Sequence, residues 1–166
     1  MNLAFIDKIR RNHALEHATV ALMIEEGING LVAGYATSNG FWLFSKAINH
    51  DVANASEKAL KRLCQGNSSL AVSKNCGTNI VLTILVADLA FHLYRRITKS
   101  NSADFGARIL ISAASIAISN PLGLKIQQYL TTLSDVRRVK IMKVRSYKFG
   151  RMYLHKVYTI ENSVSK

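Results

Sequence analysis

The sequence predicts an α+β fold, in which an N-terminal helix and a small β-hairpin or sheet precede a two-helix hairpin and a basic C-terminal strand pair. Three observations predict it. Apolar residues recur at helical spacing over residues 2–26. Asn39-Gly40 separates two short apolar runs, which is the strongest short-range signal of a β-hairpin. Two longer apolar runs, 80–94 and 109–124, have the length of helices.

Composition narrows the class of protein. The 166 residues are 49% hydrophobic with nine glycines and one proline, which excludes a disordered, collagen-like or low-complexity chain. Two cysteines, Cys64 and Cys76, are too few for a disulfide framework. We predict a single domain, 1–166. Its parts are a metal-site helix, hairpin and short helix (1–76), a membrane helical hairpin (77–128) and a basic strand pair (129–166).

The elements of the first part follow from local signals. Gly27 is typical of the position after a helix, and Gly66 follows a second candidate helix whose N-cap would be Asn54. The expected elements are a helix over 2–26, strands over 31–37 and 41–45, a helix over 54–65 and a short third strand over 70–72.

The two long apolar runs admit two interpretations. They lie near the lower limit of a bilayer span, about 17 residues, so buried core helices are the alternative to membrane helices. Two such runs in so small a chain favour the membrane. Small residues would let the two helices approach closely (Ala113, Ala114, Ser115, Ala117 and Ser119). We therefore expect a multi-pass protein of a cytoplasmic or thylakoid membrane, with the lipid bilayer as its partner.

Positive charge is concentrated at the end of the chain. Residues 135–166 hold nine basic and two acidic side chains, which is +7 of the chain's net +12. Such a tail fits anionic lipid headgroups or nucleic acid. A nucleic-acid module would use basic residues with Tyr147 and Phe149 as stacking surfaces (Arg137, Arg138, Lys140, Lys143, Arg145 and Lys148). A basic strand pair beside a membrane explains the same charge, so anionic lipid is the expected partner and nucleic acid is not.

The most specific motif is His13-Ala14-Leu15-Glu16-His17. Residues four apart share a helical face, so both imidazoles could hold one metal ion, with Glu16 beside them as a general base toward water. This is the H-x-x-E-H pattern of inverzincins. The alternative is a polar patch in which Glu16 pairs with a histidine. A metal site is favoured because the three residues fall on the apolar stripe, where polar groups need partners.

The second motif, Asn75-Cys76-Gly77-Thr78-Asn79, opens the first long apolar helix. A helix N-terminus favours a thiolate, so Cys76 is a candidate metal ligand; the alternative is a small buried apolar side chain. Cys64 shares a helical side with Leu60 and Leu63 and is interpreted as a core residue.

Three further residues are additional candidates. Asp88 and His92 lie four apart inside an apolar run, where an acid suggests a function, or else a polar pair that ties two helices together. His155, in the last strand, fits a structural or surface role better than a ligand role, and His50 is given no role.

The order of the motifs resembles an uncharacterised membrane-protein family of cyanobacteria and their relatives. The resemblance rests on HALEHAT (residues 13–19), CGTN (76–79), Asn120-Pro121-Leu122-Gly123 and His155-Lys156-Val157. More distantly, the chain is similar to YqhQ-type proteins, which are described as predicted metal-dependent enzymes with a comparable histidine motif and a Cys-Gly-Thr motif. A proline of that pattern is missing here before the cysteine. The resemblance implies that His13, Glu16, His17 and Cys76 belong to one site, and it implies no substrate.

Together these features lead us to expect a small integral-membrane, zinc-dependent hydrolase, with a protease as one option. His13, His17 and Cys76 would bind zinc, and Glu16 would accept a proton from water. The alternative is a noncatalytic membrane protein with a structural zinc site, in which a fourth protein ligand such as His155 closes the coordination shell.

Overall fold

The computed structural model describes residues 3–28, 32–99 and 105–162. These residues form four α-helices and one four-stranded antiparallel sheet, which confirms the predicted α+β class. The elements are α1 (Leu3–Glu25), β1 (Ala33–Thr37), β2 (Gly40–Ser45), α2 (Asn49–Cys64), α3 (Gly77–Thr98), α4 (Phe105–Ile126), β3 (Val139–Phe149) and β4 (Met152–Glu161). A short 3-10 helix spans Ser68–Ala71, and a π-helical segment, Gln127–Thr131, continues α4.

The chain forms two compact units. The first combines Met1–Val72 with Gln128–Lys166 and holds α1, α2 and the sheet. The second is Ser73–Gln127 and holds α3 and α4.

The sheet of the first unit has the strand order β1-β2-β4-β3. The turn between β1 and β2 forms where Asn39-Gly40 predicted it, although residue 31, the expected start of the first strand, lies outside the described residues. Gly40 has a positive φ of 126°, and a Cβ there would overlap the carbonyl oxygen of Val157 on β4. Glycine at this position therefore permits the close pairing of β2 with β4.

Helices α1 and α2 pack on one face of this sheet. The fully buried core joins residues from both helices to Phe41, Leu43 and Val157 of the sheet (Ala14, Leu15, Ala18, Met23, Val52, Ala55 and Ala59). Burying one leucine contributes about 1.5–3 kcal/mol, so this face fixes the rotation of α1 about its axis. His17 and Glu16, adjacent to Leu15, are thereby turned into the protein, with 5% and 6% of their surface exposed.

Three local expectations are wrong. Helix α2 begins at Asn49 rather than residue 54, because Asp51 in its first turn is favoured there and Val52 already packs in the core. The expected strand over 70–72 is replaced by the 3-10 helix. Cys64 is exposed rather than part of the core.

The second unit is a pair of helices in contact through small residues. A Cβ at Gly123 of α4 would overlap the side-chain oxygen of Asn79 on α3, so glycine permits the close approach. Ser119 and Ser115 are buried one and two turns before Gly123, at i, i+4 spacing. The other small residues named above are exposed, because they lie on different sides of α4 (Ala113, Ala114 and Ala117).

Among the described residues, one helix is long and apolar enough to cross a membrane. It covers Phe105–Thr131, which is 27 residues including the π-helical segment. Helix α3 is not such a helix. The expectation of a multi-pass protein is therefore not supported.

Candidate metal centre

Helix α1 presents His13 and His17 one turn apart on the same side. Their ring centroids are 4.3 Å apart, and the ring planes are tilted by 60°. This is the arrangement that i, i+4 spacing predicts. Two imidazoles so close together can supply two nitrogen ligands to one metal ion.

Each ring is held by a backbone carbonyl. His13 Nδ1 lies 2.9 Å from the carbonyl oxygen of Thr131, and His17 Nδ1 lies 2.9 Å from that of Ala71. A carbonyl oxygen only accepts, so both Nδ1 atoms donate and the neutral rings carry their lone pairs on Nε2. Metal-binding histidines typically have this kind of outer hydrogen bond, which fixes both tautomer and ring orientation.

Cys76 is the N-cap residue of α3 and is 8% exposed. A thiol at a helix N-terminus is more readily deprotonated, because the helix dipole stabilises the thiolate. A thiolate is the form of cysteine that binds metals.

The loop that leads to Cys76 is fixed by two buried amide side chains. Gln127 accepts a hydrogen bond from the Ser73 backbone N–H (2.8 Å) and donates to the Ser73 carbonyl (2.9 Å). Gln127 also donates to Asn79 Oδ1 (2.9 Å), while Asn79 Nδ2 donates to the carbonyl of Lys74 (2.8 Å). Within the second unit, the backbone just before Cys76 therefore has a defined conformation.

His13, His17 and Cys76 form the one group of this kind that the described part of the chain contains. This group could hold a metal ion. Two imidazole nitrogens and one thiolate are a borderline-soft donor set, the kind that zinc prefers. The tautomers already set by the two carbonyls also fit a metal at Nε2.

Glu16 lies next to His17 in sequence but is not part of that group. Its carboxylate packs against Gly34 of β1, where a Cβ would overlap Oε1 and Cδ and lie 2.9 Å from Cγ. The strand therefore has a glycine where the buried carboxylate needs space.

The other candidates lie elsewhere. Asp88 and His92 are exposed on α3. His155 is fully buried on β4, with Nδ1 2.7 Å from Ser146 Oγ and Nε2 3.3 Å from Ser45 Oγ. Burial lowers the pKa of His155. Within the described ranges, none of the three belongs to the group formed by His13, His17 and Cys76.

Sequence reasoning missed the groups that support the ligands. Ala71 and Thr131 act through their carbonyls, which no side-chain pattern signals, whereas Asn79 was visible as the last residue of the cysteine motif. Gln127 and Thr131 begin and end the π-helical segment, a type of helix often found at functional sites. In the described structure, the hydroxyl oxygen of Thr131 is buried and has no hydrogen-bond partner.

In comparison with known proteins, the three candidate ligands lie inside a matched region. A family model described as a domain of unknown function, DUF6391, matches residues 8–144. An uncharacterized protein of Picosynechococcus sp. (strain ATCC 27264 / PCC 7002 / PR-6) is 33% identical over 134 residues. That match covers 75% of this chain and 65% of the relative's length. No solved structure matches the chain significantly.

Proposed function

Because the chain belongs to the DUF6391 family, whose description assigns no activity, we propose a function from its geometry: a small membrane-associated, zinc-dependent hydrolase. The observation that carries the proposal is that His13, His17 and Cys76 could hold a metal ion, with both histidine tautomers fixed by carbonyls. The chain matches 65% of the length of its relative, so the substrate and the activity of the whole protein belong to this proposal. The relation to YqhQ-type proteins also stays a prediction.

The proposed ligands are His13 Nε2, His17 Nε2 and Cys76 Sγ. When bound, zinc supplies a Lewis acid that makes water more acidic and polarises a carbonyl. Three protein ligands leave one coordination position open, which is the arrangement of catalytic zinc sites. No fourth His, Cys, Asp or Glu joins the group among the described residues, which favours a catalytic over a structural site.

Glu16 is the proposed general base. It is the acidic residue of the motif, and its buried position on α1 keeps its carboxylate on the inner side of the helix. In this role it accepts the proton of the attacking water and later returns it to the leaving group.

Helix α4 supports the membrane location, in a cytoplasmic or thylakoid membrane. By length and composition it is able to cross a bilayer. The proposed substrate therefore reaches the site at or near a membrane surface, and a membrane-associated peptide is one such substrate.

The test of the metal site is zinc content. We expect about one zinc ion per chain in protein purified in mild detergent and measured by mass spectrometry. His17→Ala should lose most of the zinc, while His50→Ala, a matched change at an exposed histidine of α2, should retain it. Wild-type protein without a transition metal would contradict the proposal.

A structural zinc site is the second candidate, and one observation favours it. His17, Glu16 and Cys76 are all at least 92% buried, which leaves little of these side chains open to a substrate. In that case Glu16 would stabilise the site without taking part in a reaction.

Glu16→Gln separates the two functions. A general base contributes about 10²–10⁴-fold in rate, so the hydrolase should retain zinc and fold but no longer complement a deletion strain. Glu57→Gln, an exposed change on α2, is the control. If Glu16→Gln retains both zinc and full complementation, the structural site is the correct interpretation.

A further inference from the structure

The sheet has an inner face, which packs against α1 and α2, and an opposite face that we call the outer face. Side chains alternate between the two faces along each strand. The register places Tyr35 opposite Trp42, Trp42 opposite Lys156, and Lys156 opposite Arg145. These four residues therefore form one row across all four strands of the outer face.

Two neighbouring rows continue this pattern. On one side of Trp42, Phe44 pairs with Leu154, and Leu154 pairs with Tyr147. On the other side, Tyr158 pairs with Lys143. The outer face is thus a surface of aromatic and aliphatic side chains with basic residues between them.

Much of this face is exposed within the described part of the first unit, although Lys156, in the central row, is 3% exposed. Tyr35 is 70% exposed and Tyr147 is 48% exposed, and neither belongs to the hydrophobic core. The sheet residues that do belong to the core, such as Phe41, Leu43 and Val157, lie on the inner face. An exposed apolar surface of this kind indicates an interaction site.

The charge of the outer face has one sign. The four strands contain a single acidic residue, Glu161, which pairs with inner-face Val139 and forms an ion pair with Arg11 (3.2 Å). Within the four strands, Lys143 and Arg145 therefore have no acidic neighbour on the outer face, and the buried Lys156 donates to Thr37 Oγ1 (2.8 Å). The complementary partner is an anionic surface.

The aromatic rings favour a bilayer over nucleic acid. Lys156 Nζ lies 5.1 Å from the ring centroid of Trp42 and 5.7 Å from that of Tyr158, and Lys143 Nζ lies 5.2 Å from the latter. Ammonium groups over these rings leave less ring surface on which bases could stack. Tryptophan and tyrosine with aliphatic neighbours are typical of the boundary between lipid headgroups and acyl chains.

We propose that the outer face of the sheet binds the surface of a bilayer that contains anionic lipid. Tyr35, Trp42 and Tyr147 contact the headgroup region, and Lys143 and Arg145 pair with lipid phosphates and carboxylates. The same chain has a helix of membrane length, so a bilayer is close by in the proposed function. Neither zinc nor Glu16 takes part, and this surface can be tested whether or not the hydrolase proposal holds.

Trp42 provides the measurement, because it is the single tryptophan of the chain. The full chain is reconstituted in nanodiscs of phosphatidylcholine alone, or of phosphatidylcholine mixed with phosphatidylserine. Lipids brominated close to the headgroup quench a tryptophan that touches them. We expect Trp42 to be quenched and its emission to shift to shorter wavelength with anionic lipid, and both effects to weaken at 1 M salt, where the Debye length is about 3 Å.

Variants that remove positive charge provide a second test of the proposed membrane-binding face. Each basic residue near an anionic surface raises the equilibrium constant for membrane binding about fivefold. The double variant Lys143→Gln/Arg145→Gln should therefore lower the binding constant for anionic lipid about 25-fold. The matched control is Lys8→Gln/Lys61→Gln, at exposed positions of α1 and α2. Unchanged circular dichroism would establish that the variants are folded.

Three results would overturn the proposal. In the first, Trp42 quenching is independent of lipid charge. In the second, a single-stranded oligonucleotide, but not anionic lipid, changes the Trp42 emission, which would assign the face to nucleic acid. In the third, Trp42 in neutral detergent becomes less accessible to a quencher as the protein concentration rises. That result would assign the face to a second copy of the chain.

Discussion

His13 and His17 both use Nδ1 to donate to a backbone carbonyl, and this determines which nitrogen is left for a metal. Neither carbonyl is in α1: one belongs to the 3-10 helix and the other to the π-helical segment after α4. The motif therefore supplies the ligands, whereas their orientation depends on segments more than 50 positions away in sequence. A fixed orientation reduces the entropy that is lost when a metal binds.

Gly34 is the residue whose replacement tests the position of Glu16. Gly34→Ala places a Cβ against the Glu16 carboxylate, and we expect a loss of about 1–3 kcal/mol in stability because the strand or the carboxylate must move. Thermal unfolding followed by circular dichroism measures it. Gly77→Ala is the control, since no atom beyond its chain neighbours and its own helix backbone lies within 4 Å of its added Cβ, and its φ is not positive. Equal unfolding temperatures for the two variants would contradict the packing of Glu16 against β1.

His155 predicts how stability depends on pH. Its pKa is lowered below the ordinary value of 6.5 by burial, so below about pH 6.5 the unfolded chain binds a proton that the folded chain does not. Stability should therefore fall as the pH decreases from 6.5 toward the folded pKa. Denaturant unfolding at several pH values, with chelator present to remove the contribution of metal binding, measures this loss.

Two variants, one test and one control, show whether His155 causes this pH dependence. His155→Gln should flatten the profile in that range, and His50→Gln, at an exposed position, should leave it unchanged. A wild-type profile that is flat between pH 5 and 6.5 would contradict the assignment.

At the scale of elements, the sequence predicts the helix ends and turns that a few neighbouring residues determine. Gly27 marks the end of α1, and Asn39-Gly40 marks the β1–β2 turn, because both depend on the backbone freedom of a few residues. The start of α2 was missed, since Asn49 and His50 show no apolar periodicity. The support around the ligands could not be predicted at all, because hydrogen bonds from His17 to Ala71 and from Gln127 to Ser73 depend on the tertiary fold.

Gln127 tests whether the loop before Cys76 must be held in place. Gln127→Ala removes the hydrogen bonds to Ser73 and Asn79, and we expect zinc affinity to fall about 10–100-fold, as when other outer groups of a metal site are lost. Competition with a chelator measures the affinity. Gln128→Ala, the neighbouring exposed glutamine, should bind zinc like the wild type. Equal affinities for the two variants would show that the loop holds Cys76 without Gln127.

At the scale of the whole molecule, α4 determines how the chain meets a bilayer. We expect the wild-type protein to stay in the membrane pellet after alkaline carbonate extraction. Ile118→Arg puts a charge in the middle of α4 at a cost of about 2.5–3.5 kcal/mol, so it should increase the released fraction. Ile24→Arg, at a similarly exposed isoleucine of α1, should not. Release of the wild-type protein would contradict insertion of α4.

The strand order has a consequence for the time at which the protein can fold during its synthesis. Gly40 pairs with Tyr158, and β4 lies inside the sheet, between β2 and β3. The ribosome therefore completes α3 and α4 before it makes the strand that joins the two hairpins. Until β4 emerges, Phe41 and Leu43 lack one of their neighbouring strands, and the nascent chain exposes apolar surface that a chaperone could bind. A premature stop codon after residue 150 would remove an interior strand rather than an edge, so even this short C-terminal truncation should prevent the sheet from forming.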